Sequence, residues 1–252
     1  MNRKKTILMG AGVFTILHVA VVLCAEPIVT VGNFSQANTG EMIPLHWESL
    51  TFKKIKAHTI YKIVEDQGRT VVKAYSLASA SGLIRKISID VKQYPIIQWQ
   101  WKITQINEKS DVTQKAGDDY PARIYVAFIY DPDKAGFWEK TKFETARMVY
   151  GQYPPATVVT YVWANRAPKE TRVPNPYVDR VMMIAVQSGE EKAGTWVTEE
   201  RNIYQDYVDS FGHPPLLTSG VAIMTDTDNT GETSTAFYGD IFFKSTSGDP
   251  IQ

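Results

Sequence analysis

From Ile28 onward, apolar positions recur mainly at every second residue, the spacing that sends alternate side chains to opposite faces of a strand. Thr59–Val64 and Arg69–Tyr75 are β-branched runs without Gly or Pro. Glu65-Asp66-Gln67-Gly68 joins them, and the three segments together predict a hairpin. Ser79-Ala80-Ser81-Gly82 punctuates the pattern, which resumes from Leu83 to Asp90. Pro95 opens a strand ending at Thr104. Similar runs occupy Ala122–Tyr130, Thr157–Ala164, Arg180–Gln187, Leu217–Thr225 and Thr235–Lys244. About ten short strands divided by turn signals predict a mainly β fold. The expected architecture is a β-sandwich or jelly roll of antiparallel strands with one or two short helices.

Two stretches break the period of two. Lys134–Tyr150 has mixed polarity and reads as a long loop carrying a short helix. In Thr198–Phe211, the residues Ile203, Tyr204, Tyr207, Val208 and Phe211 recur at three and four, which predicts a helix. Thr198 is its expected N-cap, and Gly212 before His213-Pro214-Pro215 its stop. Arg201 and Asp206, five apart, are expected to address different partners.

Alternation also assigns faces. Ile97, Trp99, Trp101 and Ile103 are predicted to point inward, with Gln98, Gln100 and Lys102 outward. Ile124, Val126 and Phe128 oppose Arg123, Tyr125 and Ala127 in the same way. In the last strand Phe237, Ile241 and Phe243 are assigned inward, and Tyr238, Asp240 and Phe242 outward. Gly239 there allows a close neighbour. An outer face carrying Arg123, Tyr125, Tyr238 and Asp240 suits a polar ligand. A solvated face, or one covered by the Lys134–Tyr150 loop, accounts for the same pattern equally well.

The N-terminus departs from this pattern altogether. Asn2-Arg3-Lys4-Lys5 is followed by an uncharged run, Ile7–Leu23, and then by Cys24-Ala25. A basic start, an apolar run and a small residue at the cut predict a signal peptide over residues 1–25, cleaved after Ala25. The apolar run is shorter than the ~20 residues a spanning helix needs. An uncleaved anchor and a lipoprotein at Cys24 are the alternatives, the latter opposed by the bulky Leu23 before the cysteine. The remainder, 26–252, reads as one β-sandwich domain that is periplasmic or secreted. The whole chain of 252 residues balances 27 Lys and Arg against 27 Asp and Glu. Loss of Arg3, Lys4 and Lys5 leaves the domain with a small negative charge. That argues against a nucleic-acid partner. Loss of Cys24, the single cysteine, excludes disulfides, thiolate nucleophiles and Cys metal sites.

Two acidic clusters carry what chemistry there is. Gly117-Asp118-Asp119-Tyr120-Pro121-Ala122-Arg123 stands at a strand entrance. Paired carboxylates serve acid/base work or hold a cation, and Arg123 suits a ligand carboxylate or Asp119. A turn with Asp-to-backbone bonds is the plainer account. Thr225-Asp226-Thr227-Asp228-Asn229-Thr230-Gly231-Glu232 places oxygens at alternate positions, as a calcium loop does. Its spacing is not that of the helical calcium loop, and an Asx-rich turn is the simpler reading. If an ion binds, Asp226, Asp228 and Glu232 are the expected ligands and calcium the expected ion. Asp240 joins them if the last strand is the hairpin partner of the strand before the loop. His46, His58 and His213 lack zinc-site spacing. No nucleophile elbow, phosphate loop or dinucleotide fingerprint occurs.

Several segments together resemble a known family. They are Ser81-Gly82-Leu83, Trp99-Gln100-Trp101-Lys102, Gly117-Asp118-Asp119-Tyr120, Ala122–Val126, Tyr161-Val162-Trp163, Arg201-Asn202, Asp206-Tyr207, Phe211-Gly212, Asp226–Gly231 and Tyr238-Gly239-Asp240-Ile241. In this order they resemble an uncharacterised bacterial exported family known as a domain of unknown function, numbered three-oh-four-seven. The resemblance implies a stand-alone exported domain and no particular reaction. The closing strand is also similar to the end of galactose-binding-like jelly rolls. The expected function is non-catalytic binding of a glycan or another polar cell-envelope component through Asp118, Asp119, Arg123, Tyr125, Tyr238 and Asp240. Two alternatives stand: an enzyme acting on an envelope polysaccharide with Asp118 and Asp119 as acid and base, and a structural partner in an envelope complex.

Overall fold

The computed structural model describes residues 27–133, 141, 143 and 154–246. The expected signal peptide and most of the Lys134–Tyr150 loop lie outside these residues. Among the described residues, thirteen strands form two sheets that face each other. The first sheet has the order β11 (Val197–Asn202), β6 (Ile96–Ile103), β13 (Thr233–Lys244), β4 (Arg69–Leu77), β3 (Ile60–Asp66). Here β1 (Ile28–Gly32) also pairs with β13. The second has the order β2 (Glu48–Leu50), β5 (Ala80–Arg85), β12 (Thr218–Asp226), β7 (Arg123–Phe128), β8 (Val158–Ala164), β10 (Val181–Ser188), β9 (Arg172–Pro174). The architecture is a β-sandwich. The expected hairpin is β3–β4, paired from Ile60–Tyr75 to Asp66–Arg69.

One pairing departs from the all-antiparallel expectation: β8 and β10 run parallel. Parallel neighbours need a crossover rather than a tight turn, and β9 lies within it, antiparallel to β10.

The core is aromatic. Trp99 stacks on Tyr161 with centroids 5.0 Å apart and meets Trp101 edge-on at 5.4 Å. Trp101 in turn approaches Trp163 at 5.8 Å. Offset and edge-to-face contacts of this kind add to the large apolar area each ring buries. The inward assignments in β6 and β7 hold: Ile97, Trp99, Trp101, Ile103, Ile124, Val126 and Phe128 are buried.

The assignment in β13 is corrected. Its pairing with β6 shifts register between Tyr238 and Ile241, a β-bulge beside Gly239. The bulge reverses parity. Ala236 and Tyr238 point into the core before it, Ile241 and Phe243 after it, and Phe237 faces outward. A Cβ on Gly239 would meet the Gln100 Cβ at 3.0 Å, a close approach that glycine accommodates without displacing its neighbour.

The predicted helix is shorter than expected. Val197–Asn202 is an edge strand paired with β6, and helix α1 spans Ile203–Phe211. Its cap is Asn202, whose side chain accepts from the Gln205 amide at 2.9 Å, and not Thr198. Gly212 ends it in the left-handed region at φ 75°. The strand brings Arg201 and Asp206 together: Nε and one terminal nitrogen of Arg201 donate to Asp206 at 3.0 and 2.8 Å. The two were expected to have separate partners, because helical spacing was applied across a strand-to-helix junction. Among the described residues, no helix is long and apolar enough to cross a membrane.

Candidate functional site

The two acidic clusters converge, because β12 and β7 pair antiparallel and bring the end of one beside the start of the other. Arg123 lies on the outer side of the second sheet but is buried there. Val112 and Tyr120, on the loop before β7, cover this face, packing on Val162, Ala164, Met183 and Ala185. Arg123 donates to Asp226 from Nε at 2.9 Å and again from a terminal nitrogen. It also reaches the Asp118 carboxylate at 3.2 Å and the Asp118 carbonyl at 2.5 Å. Burial pushes the Asp226 carboxyl up, and the charge and hydrogen bonds of Arg123 work against this to keep the pair ionised. Desolvation works against the guanidinium, yet Asp226 and Asp118 hold it charged.

Asp119 is fully buried and fixes the second loop, accepting the Asn229 and Thr230 amides at 3.3 and 2.6 Å. Asp119, Asp226 and Asp228 each offer a carboxylate oxygen within 4.8 Å of the others. Burial raises the Asp228 carboxyl, and Asp119 beside it adds to the rise. Hard oxygen donors so crowded fit a cation such as calcium. Glu232 is not part of this group. It accepts the Glu108 and Lys109 amides at 3.1 and 3.3 Å and ties the 104–111 loop. Asp240 is absent from it as well, because β12 and β13 belong to opposite sheets and are not hairpin partners. Asp240 accepts from the Ser35 amide and hydroxyl at 2.9 and 2.7 Å instead.

The expected ligand face therefore divides into three places. Arg123 and half-buried Tyr125 lie on the covered side of the second sheet, where the Tyr125 hydroxyl meets the Met224 sulfur at 3.6 Å. Tyr238 lies in the core, donating to the Met224 carbonyl at 2.6 Å. Asp240 lies outside the first sheet.

One open groove adjoins the cluster. A groove of about 630 Å³ is lined by Val112, Thr113, Asn175, Pro176, Tyr177 and Asp179, among others. Asn175 reaches Asp118 at 2.9 Å, linking the groove to the buried ion pair. Tyr177 is 53% exposed, and its hydroxyl is fixed at both ends. It donates to the Lys115 carbonyl at 3.0 Å and accepts from Asn229 at 2.8 Å. Asn175, Tyr177 and Asn229 were not anticipated as site residues. An aromatic ring in Pro174-Asn175-Pro176-Tyr177, with no strand or helix period around it, was the legible signal of an exposed ring.

Fold and site together define a β-sandwich domain with a polar groove on its loop rim. The chain belongs to the family described as protein of unknown function (DUF3047), whose model matches residues 45–242. No curated protein matches it. Among solved structures it is similar to a xylan-binding module, CBM15, with a TM-score of 0.36 and 11% identity over 88% of this chain and 98% of that one. It is also similar to the glycoside hydrolase domain of Endo-D from Streptococcus pneumoniae R6, with a TM-score of 0.33 and 12% identity over 81% of this chain. The match spans 22% of that structure's chain.

Proposed function

We propose that this chain is an exported, non-catalytic domain that binds a glycan or another polar component of the cell envelope, and that the ligand lies in the Tyr177 groove. The observation carrying the reading is the exposed Tyr177 ring, held by two hydrogen bonds beside the amides of Asn175 and Asn229. A fixed ring offers stacking area at low entropic cost, and flanking amides supply both donors and acceptors for hydroxyl groups. The non-catalytic reading rests on Asp118 and Asp119. The first is engaged by Arg123 and Asn175, and the second is buried with both oxygens on backbone amides. Calcium at Asp119, Asp226 and Asp228 would brace the same loops. The basic start and uncharged run before Ala25 support export.

The test is retention on purified peptidoglycan sacculi and retardation in gels containing galactomannan. At least one is expected to hold the protein, with Tyr177→Ala released at an unchanged melting temperature. Retention on both that is indifferent to Tyr177→Ala would overturn the groove.

A further inference from the structure

The outward face of the first sheet, on the opposite side of the sandwich, carries an arrangement that costs stability. Lys62, Lys73, Phe237 and Lys102 stand in register across β3, β4, β13 and β6. Lys62 and Lys73 are direct cross-strand partners, and like charges so placed repel. Lys73 and Lys102 approach the Phe237 ring at 5.9 and 4.4 Å. Arg69 lies 5.6 Å from the Trp196 centroid and donates to Gln100 at 3.1 Å.

Two carboxylates on this face are spent on cations, while Asp240 meets only Ser35 among the described residues and keeps its charge in the hollow it shares with Arg69. Asp66 holds Lys102 at 2.5 Å and Trp196 at 2.8 Å, Glu200 holds Lys244 at 2.7 Å, and Asp240 holds Ser35. Glu65 has the inward parity of Tyr61 and Ile63. Among the described residues, Lys62, Lys73 and Arg69 form no ion pair. The result is unneutralised cations around half-buried rings, with exposed Tyr75 one row away.

We propose that this face binds an anionic polysaccharide, its carboxylate or phosphate groups meeting Lys62, Lys73 and Arg69 and its sugar rings lying along Phe237 and Tyr75. Charge complementarity selects the anion. Geometry selects a polymer: Lys62 and Lys73 are neighbours on strands about 4.8 Å apart, and Arg69 precedes Lys73 by four residues on the same face of β4, so the cations are spread along the sheet surface beside the rings. A polymer carrying both charges and sugar rings meets the cations and the rings together, whereas a fluid anionic membrane offers no rings to lie along Phe237 and Tyr75. The proposal stands apart from the groove reading, since the two surfaces lie on opposite sheets.

The test uses native gels containing polygalacturonate or neutral galactomannan, and flotation with phosphatidylcholine–phosphatidylglycerol vesicles. Polygalacturonate is expected to retard the protein, less so at high salt. The K62Q/K73Q double variant should weaken binding roughly fivefold to tenfold, as loss of two solvent-accessible charge contacts does. Its melting temperature should be equal or higher, because the repulsion is gone. Tyr177→Ala should leave polygalacturonate binding intact, which separates this surface from the groove. Unchanged binding in K62Q/K73Q would overturn the proposal. So would vesicle binding without polygalacturonate binding.

Discussion

Asn175 donates to the Asp118 carboxylate at 2.9 Å, and through it an open groove is joined to a guanidinium held inside the protein. The wall of the groove is therefore tied directly to the ion pair behind it. The buried charges act as a frame, and the neutral amides and the ring face the open groove.

Removing that frame should be expensive. Arg123→Met leaves Asp226 and Asp118 buried without their cation, and loss of one partner of a buried pair costs about 3–5 kcal/mol. Urea unfolding measures it. A loss below about 1 kcal/mol would mean the cluster is solvated and the frame misassigned.

The two core tryptophans should respond differently to conservative change. Truncation of Trp99 or Trp101 to Ala is expected to cost about 3–5 kcal/mol each. Trp101 donates to Glu199 at 3.3 Å, whereas the Trp99 indole nitrogen has no partner among the described residues. Trp99→Phe should therefore be tolerated better than Trp101→Phe, because it removes a buried polar group with no bond to lose. Thermal unfolding of the pair checks the order, and the reverse order would contradict the packing.

Acid should act through Asp206. Burial pushes its carboxyl up, but the hydrogen bonds and charge of Arg201, with Tyr161 and Arg172, outweigh this and hold it below the usual range. A depressed folded value contributes stability above the unfolded value, about 3.9, and that stability is lost as pH falls through the folded value. Unfolding free energy measured from pH 6 to pH 2 should fall more steeply in the parent than in Asp206→Asn. Parallel curves would contradict the network.

Calcium should stabilise the loops if it binds at Asp119, Asp226 and Asp228. A hundredfold excess over Kd contributes about 2.7 kcal/mol, read as a rise in melting temperature over chelated protein. Asp228→Ala should abolish the rise, and Glu232→Gln should keep it, since Glu232 serves backbone amides elsewhere. No rise in the parent would leave the loop as an Asx-rich turn.

The strands were readable because alternation is local: Ile97, Trp99 and Trp101 declare their face within five residues. Tyr238 was misplaced because a bulge shifts parity by one, and Gly239 marks a bulge without stating on which side the shift falls. Thr198–Asn202 falls within the helix predicted over Thr198–Phe211 because α1 follows it with no intervening breaker, yet it extends the strand that begins at Val197. In the site, Asp118 and Asp226 were singled out separately. Their meeting depends on β12 pairing with β7, a contact between residues more than a hundred positions apart that local pattern does not encode. Tyr177 carries no charge and lies in no periodic segment, whereas the conspicuous charges of the two clusters are largely spent on one another.

Hydrogen exchange on the protein with a muramidase digest of sacculi, or with galactomannan fragments if that is the glycan retained, tests the groove most directly. The account predicts slowed exchange confined to the segments around Val112–Asp118 and Val173–Asp179. Ligand binding with no protection in either segment would contradict it.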